Sequence, residues 1–107
     1  MTSAGSLRER LTIERPVRAA DDAGGARTTW TALATVWAEV VSLGGVETAL
    51  GERREARTSH RVTMRFRDDV TAEMRLVWRG RSLDIRGMRD PDGKRRWLAI
   101  NAEEGAA

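Results

Sequence analysis

The stretch Ser59-His60-Arg61-Val62-Thr63-Met64-Arg65-Phe66-Arg67 alternates without a break. His60, Val62, Met64 and Phe66 share one parity, and Arg61, Thr63, Arg65 and Arg67 share the other. Successive side chains of an extended strand point to opposite faces, so this pattern predicts a half-buried β-strand. One face seals a core. The other is a basic strand face of three guanidinium groups, Arg61, Arg65 and Arg67, which either sit in water or meet an anionic partner.

The rest of the chain repeats this grammar. Leu11 and Ile13 alternate with Arg10, Thr12 and Glu14, which predicts a first strand closed by Pro16, a residue with no amide to donate. Asp21-Asp22-Ala23-Gly24-Gly25 is a turn, because carboxylates bond nearby amides and glycines accept positive φ. No further carboxylates stand at ligand spacing, so these aspartates read as turn formers and not as metal ligands. Thr28-Thr29-Trp30-Thr31 and Thr35-Val36-Trp37-Ala38-Glu39-Val40-Val41 read as strands, with a bridge or bend at Ala32-Leu33-Ala34. Trp30 and Trp37 read as core or interface anchors. A ligand cage would need more aromatics than Phe66, Trp78 and Trp97 supply.

Residues 44–58 interrupt the rhythm. Val46, Ala49 and Leu50 are spaced for about two turns of helix, which Gly51 would end. Otherwise the segment is a long loop, and loops of this length are either functional or mere connectors. Farther on, Met74, Leu76 and Trp78 alternate with Arg75, Val77 and Arg79. A tight turn at Arg79-Gly80-Arg81-Ser82 leads into Leu83-Asp84-Ile85-Arg86-Gly87-Met88. Asp90-Pro91-Asp92-Gly93 turns the chain into a last strand over residues 94–102, and residues 103–107 are expected to fray. The expected class is all-β, a small barrel or sandwich of six to seven strands, with one long loop or short helix at about 44–58. The length of 107 residues fits a single domain over 1–107.

Charge is uneven. Residues 53–96 hold fourteen basic side chains against seven acidic ones, while residues 1–52 hold five against seven. A basic second half suits nucleic acid or an acidic protein surface. A coding bias toward Arg and Ala would give the same excess. The chain has no cysteine, which removes disulfides and zinc-thiolate sites. No apolar run nears the roughly 20 residues that span a bilayer, so no membrane partner is expected. Residues 1–6 lack the charged-then-apolar pattern of a signal peptide, which points to the cytoplasm or to a particle assembled there.

Catalytic patterns are missing. His60, the one histidine, lies on the apolar parity of its strand and reads as a satisfied core residue. No nucleophile set builds around it, and no phosphate-binding glycine loop occurs. Neither an enzyme nor a cofactor is expected.

The order of elements resembles the phage head-tail joining family, also called head closure or stopper proteins. The matching stretches are Leu7-Arg8-Glu9-Arg10-Leu11-Thr12-Ile13, the turn Asp21-Asp22-Ala23-Gly24-Gly25, Thr29-Trp30, and Thr35-Val36-Trp37-Ala38-Glu39-Val40. They continue with Ser59-His60-Arg61-Val62-Thr63-Met64-Arg65-Phe66, Met74-Arg75-Leu76-Val77-Trp78, Leu83-Asp84-Ile85 and Asp90-Pro91-Asp92-Gly93. The resemblance implies a small β-barrel in a homo-oligomeric ring, hexamer or dodecamer, at the neck of a phage or of a phage-like gene transfer agent. Its implied neighbours are the portal and adaptor proteins, a tail terminator or tail tube protein, and packaged double-stranded DNA. The long loop would face the channel or the adjoining rings and would supply Glu47, Glu52, Arg53, Arg54, Glu55 and Arg57 as contact residues. The acidic members would repel phosphate, so protein contact is expected to dominate there. The rival readings are a tail terminator or other neck-ring protein, and a lone nucleic-acid-binding β-barrel.

Overall fold

The computed structural model describes residues 3–50 and 53–105, and for residues 44–50, 53–57 and 105 the backbone alone. After a 3-10 turn at Ala4–Ser6 come six strands: β1 Glu9–Ala20, β2 Ala26–Leu50, β3 Arg53–Arg65, β4 Arg75–Trp78, β5 Arg81–Arg89 and β6 Trp97–Gly105. Every neighbouring pair is antiparallel, and the order β1-β2-β3-β6-β5-β4 closes on itself as a barrel. Closure leaves the barrel wall without a free edge, which removes the usual template for unwanted strand pairing.

The core is what the alternation dictates. Leu11, Ile13, Val62, Met64, Leu76, Leu83, Ile85, Leu98 and Ile100 all point inward and are buried. They meet across the ladders as Ile13↔Leu76, Leu76↔Leu83, Val62↔Ile100 and Met64↔Leu98. Each such side chain contributes about 1.5–3 kcal/mol by leaving water. Trp78 closes one side of this core, and its indole N–H donates to Glu9 Oε1 at 2.9 Å.

Three bulges re-aim the strands. Ile13 pairs with Ala34 and Glu14 with Ala32, so Leu33 is the extra residue. The bend expected at Ala32-Leu33-Ala34 is this bulge, and it joins two expected strands into one β2 of 25 residues. A second shift lies between Ser42 and Gly45, and a third between Ile85 and Gly87.

Because β2 is so long, it outruns the barrel at both ends. β4 covers β1 only at residues 11–14, so residues 15–20 and 26–31 form a two-stranded first arm with its tip at 21–25. Pro16 does not close β1; it pairs with Trp30 inside this arm, where the strand has a neighbour on one side only. At the other end, residues 45–50 pair with 53–58 as a second arm. This corrects the long loop or short helix expected at 44–58: the backbone there is a β-hairpin. Spacings such as Val46, Ala49 and Leu50 also fit extended chain over so short a window.

Two smaller corrections concern the ends of β6. It starts at Trp97 and not at Lys94, because the Asp90 and Asp92 carboxylates capture the amides of Gly93, Lys94 and Arg95 at 2.8–3.0 Å. It also runs on through Glu103 and Glu104, paired with Ser59 and Thr58, where fraying was expected. In the 79–80 turn both Arg79 and Gly80 have positive φ, 52° and 75°, the twist that a two-residue hairpin loop needs.

Candidate interaction surface

The outer wall formed by β3, β6 and β5 carries the basic parity. Arg61 and Arg65 are exposed there, as expected. Arg67 is not on this face. β3 ends at Arg65, and Arg67 sits in the following turn, donating to Asp69 at 2.9 and 2.8 Å. That contact holds the Asp69 carboxyl below its ordinary value and raises the Arg67 guanidinium. Phe66 also lies past the strand, half-buried, with its N–H bonded to the Arg96 carbonyl and the Arg95 guanidinium 4.9 Å from its ring.

Loop 90–96 folds back beside this wall and makes a groove of about 440 Å³. β6 forms its floor with Ala99 and the half-buried Trp97. β3 supplies Arg61 and Thr63 on one side, and β5 supplies Arg89, which pairs with Ala99. Pro91, Asp92 and Arg96 complete the rim. Thr63 has outward parity yet only 5 % exposure. Arg65 lies over the Trp97 ring at 5.6 Å. Arg96 donates to Asp92 at 2.7 and 3.1 Å, and this bond, with the Lys94 amide, holds the Asp92 carboxyl below its ordinary value. Arg61 and Arg89 have no carboxylate partner among the described residues. The groove is therefore cationic over an apolar floor.

β2 adds an apolar strip to the same exterior. Trp37, Val41 and Leu43 are 54 %, 42 % and 51 % exposed. Trp37 is thus no core anchor. It pairs across from Arg10, whose guanidinium lies 5.4 Å from its ring. Trp30 is half-buried in the first arm beneath Arg75 at 4.2 Å, and Arg75 is held by Glu14 at 2.7 Å.

Inside the wall, His60 is a satisfied core residue, as its parity implied. It is 2 % exposed, bonded through Nδ1 to Ser42 Oγ at 3.0 Å and through Nε2 to Glu104 Oε1 at 3.4 Å, and edge-on to Trp78. Glu104 also meets Arg81 at 3.1 Å. This cluster ties β2, β3, β5 and β6 together on the last rung before the second arm. Among the described residues no group of three or more His, Asp or Glu could hold a metal ion.

The expected contact residues of the second arm fall differently. Glu47, Arg53, Arg54, Glu55 and Arg57 have backbone positions in the arm, in the rungs Glu47↔Ala56, Leu50↔Arg53, Ala49↔Arg54, Thr48↔Glu55 and Val46↔Arg57. Their side chains, and Glu52 as a whole, lie outside the described residues. Sequence reading missed Arg89, Arg96 and Trp97 as surface candidates, and left Trp37 between core and interface anchor. Parity held a signal for Trp37, which alternates with buried Ala38 and shares its face with Glu39. Nothing local announced the groove, since it needs loop 90–96 to fold over a neighbouring strand.

Comparison with known proteins places this geometry. The phage head completion protein family matches residues 2–105. Among solved structures, a chain of the virion of a native gene transfer agent particle is 30 % identical with a TM-score of 0.77, covering 94 % of this chain and 96 % of that one. A protein of Shigella flexneri 2a, determined in solution, is 32 % identical with a TM-score of 0.72, covering 98 % of each chain. No curated protein matches this chain. With a family match spanning almost its full length, the chain belongs to the phage head completion protein family.

Proposed function

We propose that this protein is a structural head-tail connector of a tailed phage or phage-like gene transfer agent, acting at the neck as a homo-oligomeric ring. The ring sits between the portal and adaptor proteins on one side and a tail terminator or tail tube protein on the other. It closes the DNA-filled head and presents the docking surface for the tail. The observation that carries this reading is the family match over residues 2–105. The relative within a gene transfer agent virion supports the same setting.

The fold suits a connector. Both arms of β2 extend beyond the barrel, and residues 18–29 of the first arm are exposed throughout. The second arm, with Arg53, Arg54 and Arg57 among Glu47, Glu52 and Glu55, is assigned to the adjoining rings, with incidental contact to channel DNA. The role is non-enzymatic and uses no cofactor. Replacing Arg53, Arg54 and Arg57 by alanine is expected to lower the yield of tailed, infectious particles at least 10-fold, with the purified variant folding normally by circular dichroism. A normal yield would remove the second arm from the docking surface.

A further inference from the structure

We propose that the tip of the first arm of one copy seats in the Arg61–Arg89 groove of a second copy. The inference deepens the ring reading above and rests on it.

The arm supplies the first observation. Its strands have one neighbour each, and residues 18–29 are exposed throughout. A two-stranded ribbon is marginally stable in water unless something packs on it. Its tip, Asp21-Asp22-Ala23-Gly24-Gly25, is narrow and anionic. Asp21 accepts from the amides of Ala23 and Gly25 at 3.0 and 2.8 Å, which rigidifies the tip. Asp22 is exposed and has no ion pair among the described residues.

The groove supplies the second. Arg61 and Arg89 flank the β6 floor from opposite sides, and neither has a carboxylate partner among the described residues. The volume of about 440 Å³ admits a slim turn bearing small side chains. Arg18 and Arg27 stand below the tip, so the match belongs to the tip and not to the whole arm. Asp92 on the rim is neutralised by Arg96, which leaves the groove open to an anionic tip, and a groove of about 440 Å³ is too small to take a duplex.

Topology supplies the third. In the closed order β1-β2-β3-β6-β5-β4, β6 lies three strands from β1 in either direction. The arm and the groove floor are therefore on opposite sides of the barrel. Joining unlike surfaces from opposite sides adds copies in one direction, and such a contact closes into a ring when the rotation allows.

The chain has no cysteine, so a pair of introduced thiols would be the only one. Assembled particles carrying Ala23→Cys and Ala99→Cys together, which keep both groove arginines, are mildly oxidised and run on a non-reducing gel. The expected result is a ladder of covalent multimers that collapses with reductant, and no ladder from Ala23→Cys with Ser82→Cys. Rings visible at the neck without the Ala23–Ala99 ladder would overturn this inference and leave the ring reading standing. Necks without any ring would overturn both. A second arm of the test reverses charge: Arg61→Glu with Arg89→Glu should cut particle yield at least 10-fold, and adding Asp22→Arg should restore most of it. Failure to restore would overturn the contact.

Discussion

The barrel wall and the first arm share two strands, β1 and β2, yet the two regions are built differently. In the wall, each strand has two neighbours and sends alternate side chains into a shared core, with Ile13, Val62, Leu76, Leu83 and Ile100 fully buried. In the arm, residues 18–20 and 26–29 pair on one side only and bury nothing. Stability of the isolated chain therefore resides in the wall. The arm's sequence is free to serve contacts with other molecules, and the two regions should respond oppositely to substitution.

The sharpest way to break that comparison is a truncation in each region. Ile13→Ala or Ile100→Ala is expected to cost about 2–5 kcal/mol, since burial is lost and a cavity stays behind in a closed sheet that cannot collapse. Chemical denaturation of the purified chain measures it. His60→Ala comes next, at about 2–3 kcal/mol, because it leaves a void against Trp78 and strips Ser42 and Glu104 of a buried partner. Asp90→Ala should cost about 1 kcal/mol by releasing the amides of Gly93 and Arg95, and hydrogen exchange at those two amides should accelerate. Thr28→Ala in the arm should stay within about 0.5 kcal/mol of the parent. An arm variant that unfolds the chain would end the distinction.

Acid sharpens the comparison further. Glu9 is held below its ordinary carboxyl value chiefly by the Trp78 indole N–H, with Arg79 adding to it, and Asp69 and Asp92 are held down by Arg67 and Arg96. A depressed folded-state value means stability that is present above the unfolded value and lost as pH falls through the folded one. Thermal stability should thus hold from neutrality to about pH 4.5 and decline below it, and Glu9→Gln should flatten part of that decline. A decline that begins well above the ordinary carboxyl range would contradict the assignment to these carboxylates.

How much of this was legible follows the same division. Period-two alternation named the inward residues of β1, β3, β4 and β5 correctly, because a one-sided core imposes parity on every strand that lines it. Leu33 was visible as an irregularity, but whether chain bends or bulges depends on the partner strand. The second arm was harder. Val46, Ala49 and Leu50 satisfy helix and strand spacing alike, and the pairing with residues 53–58 that decides the matter is absent from any local window. Arg67 was assigned to a strand that ends two residues earlier, where Asp69 draws it into a turn. The groove was invisible for a related reason: Arg89, Arg96 and Trp97 converge only after Asp90 and Asp92 have shaped loop 90–96.

The most direct test of the connector role is negative-stain imaging of particles from a strain lacking this protein, paired with an assay of DNA retained in the heads. The account predicts empty or DNA-leaking heads without tails, beside free tails of normal length. Normally tailed, DNA-filled particles would contradict it.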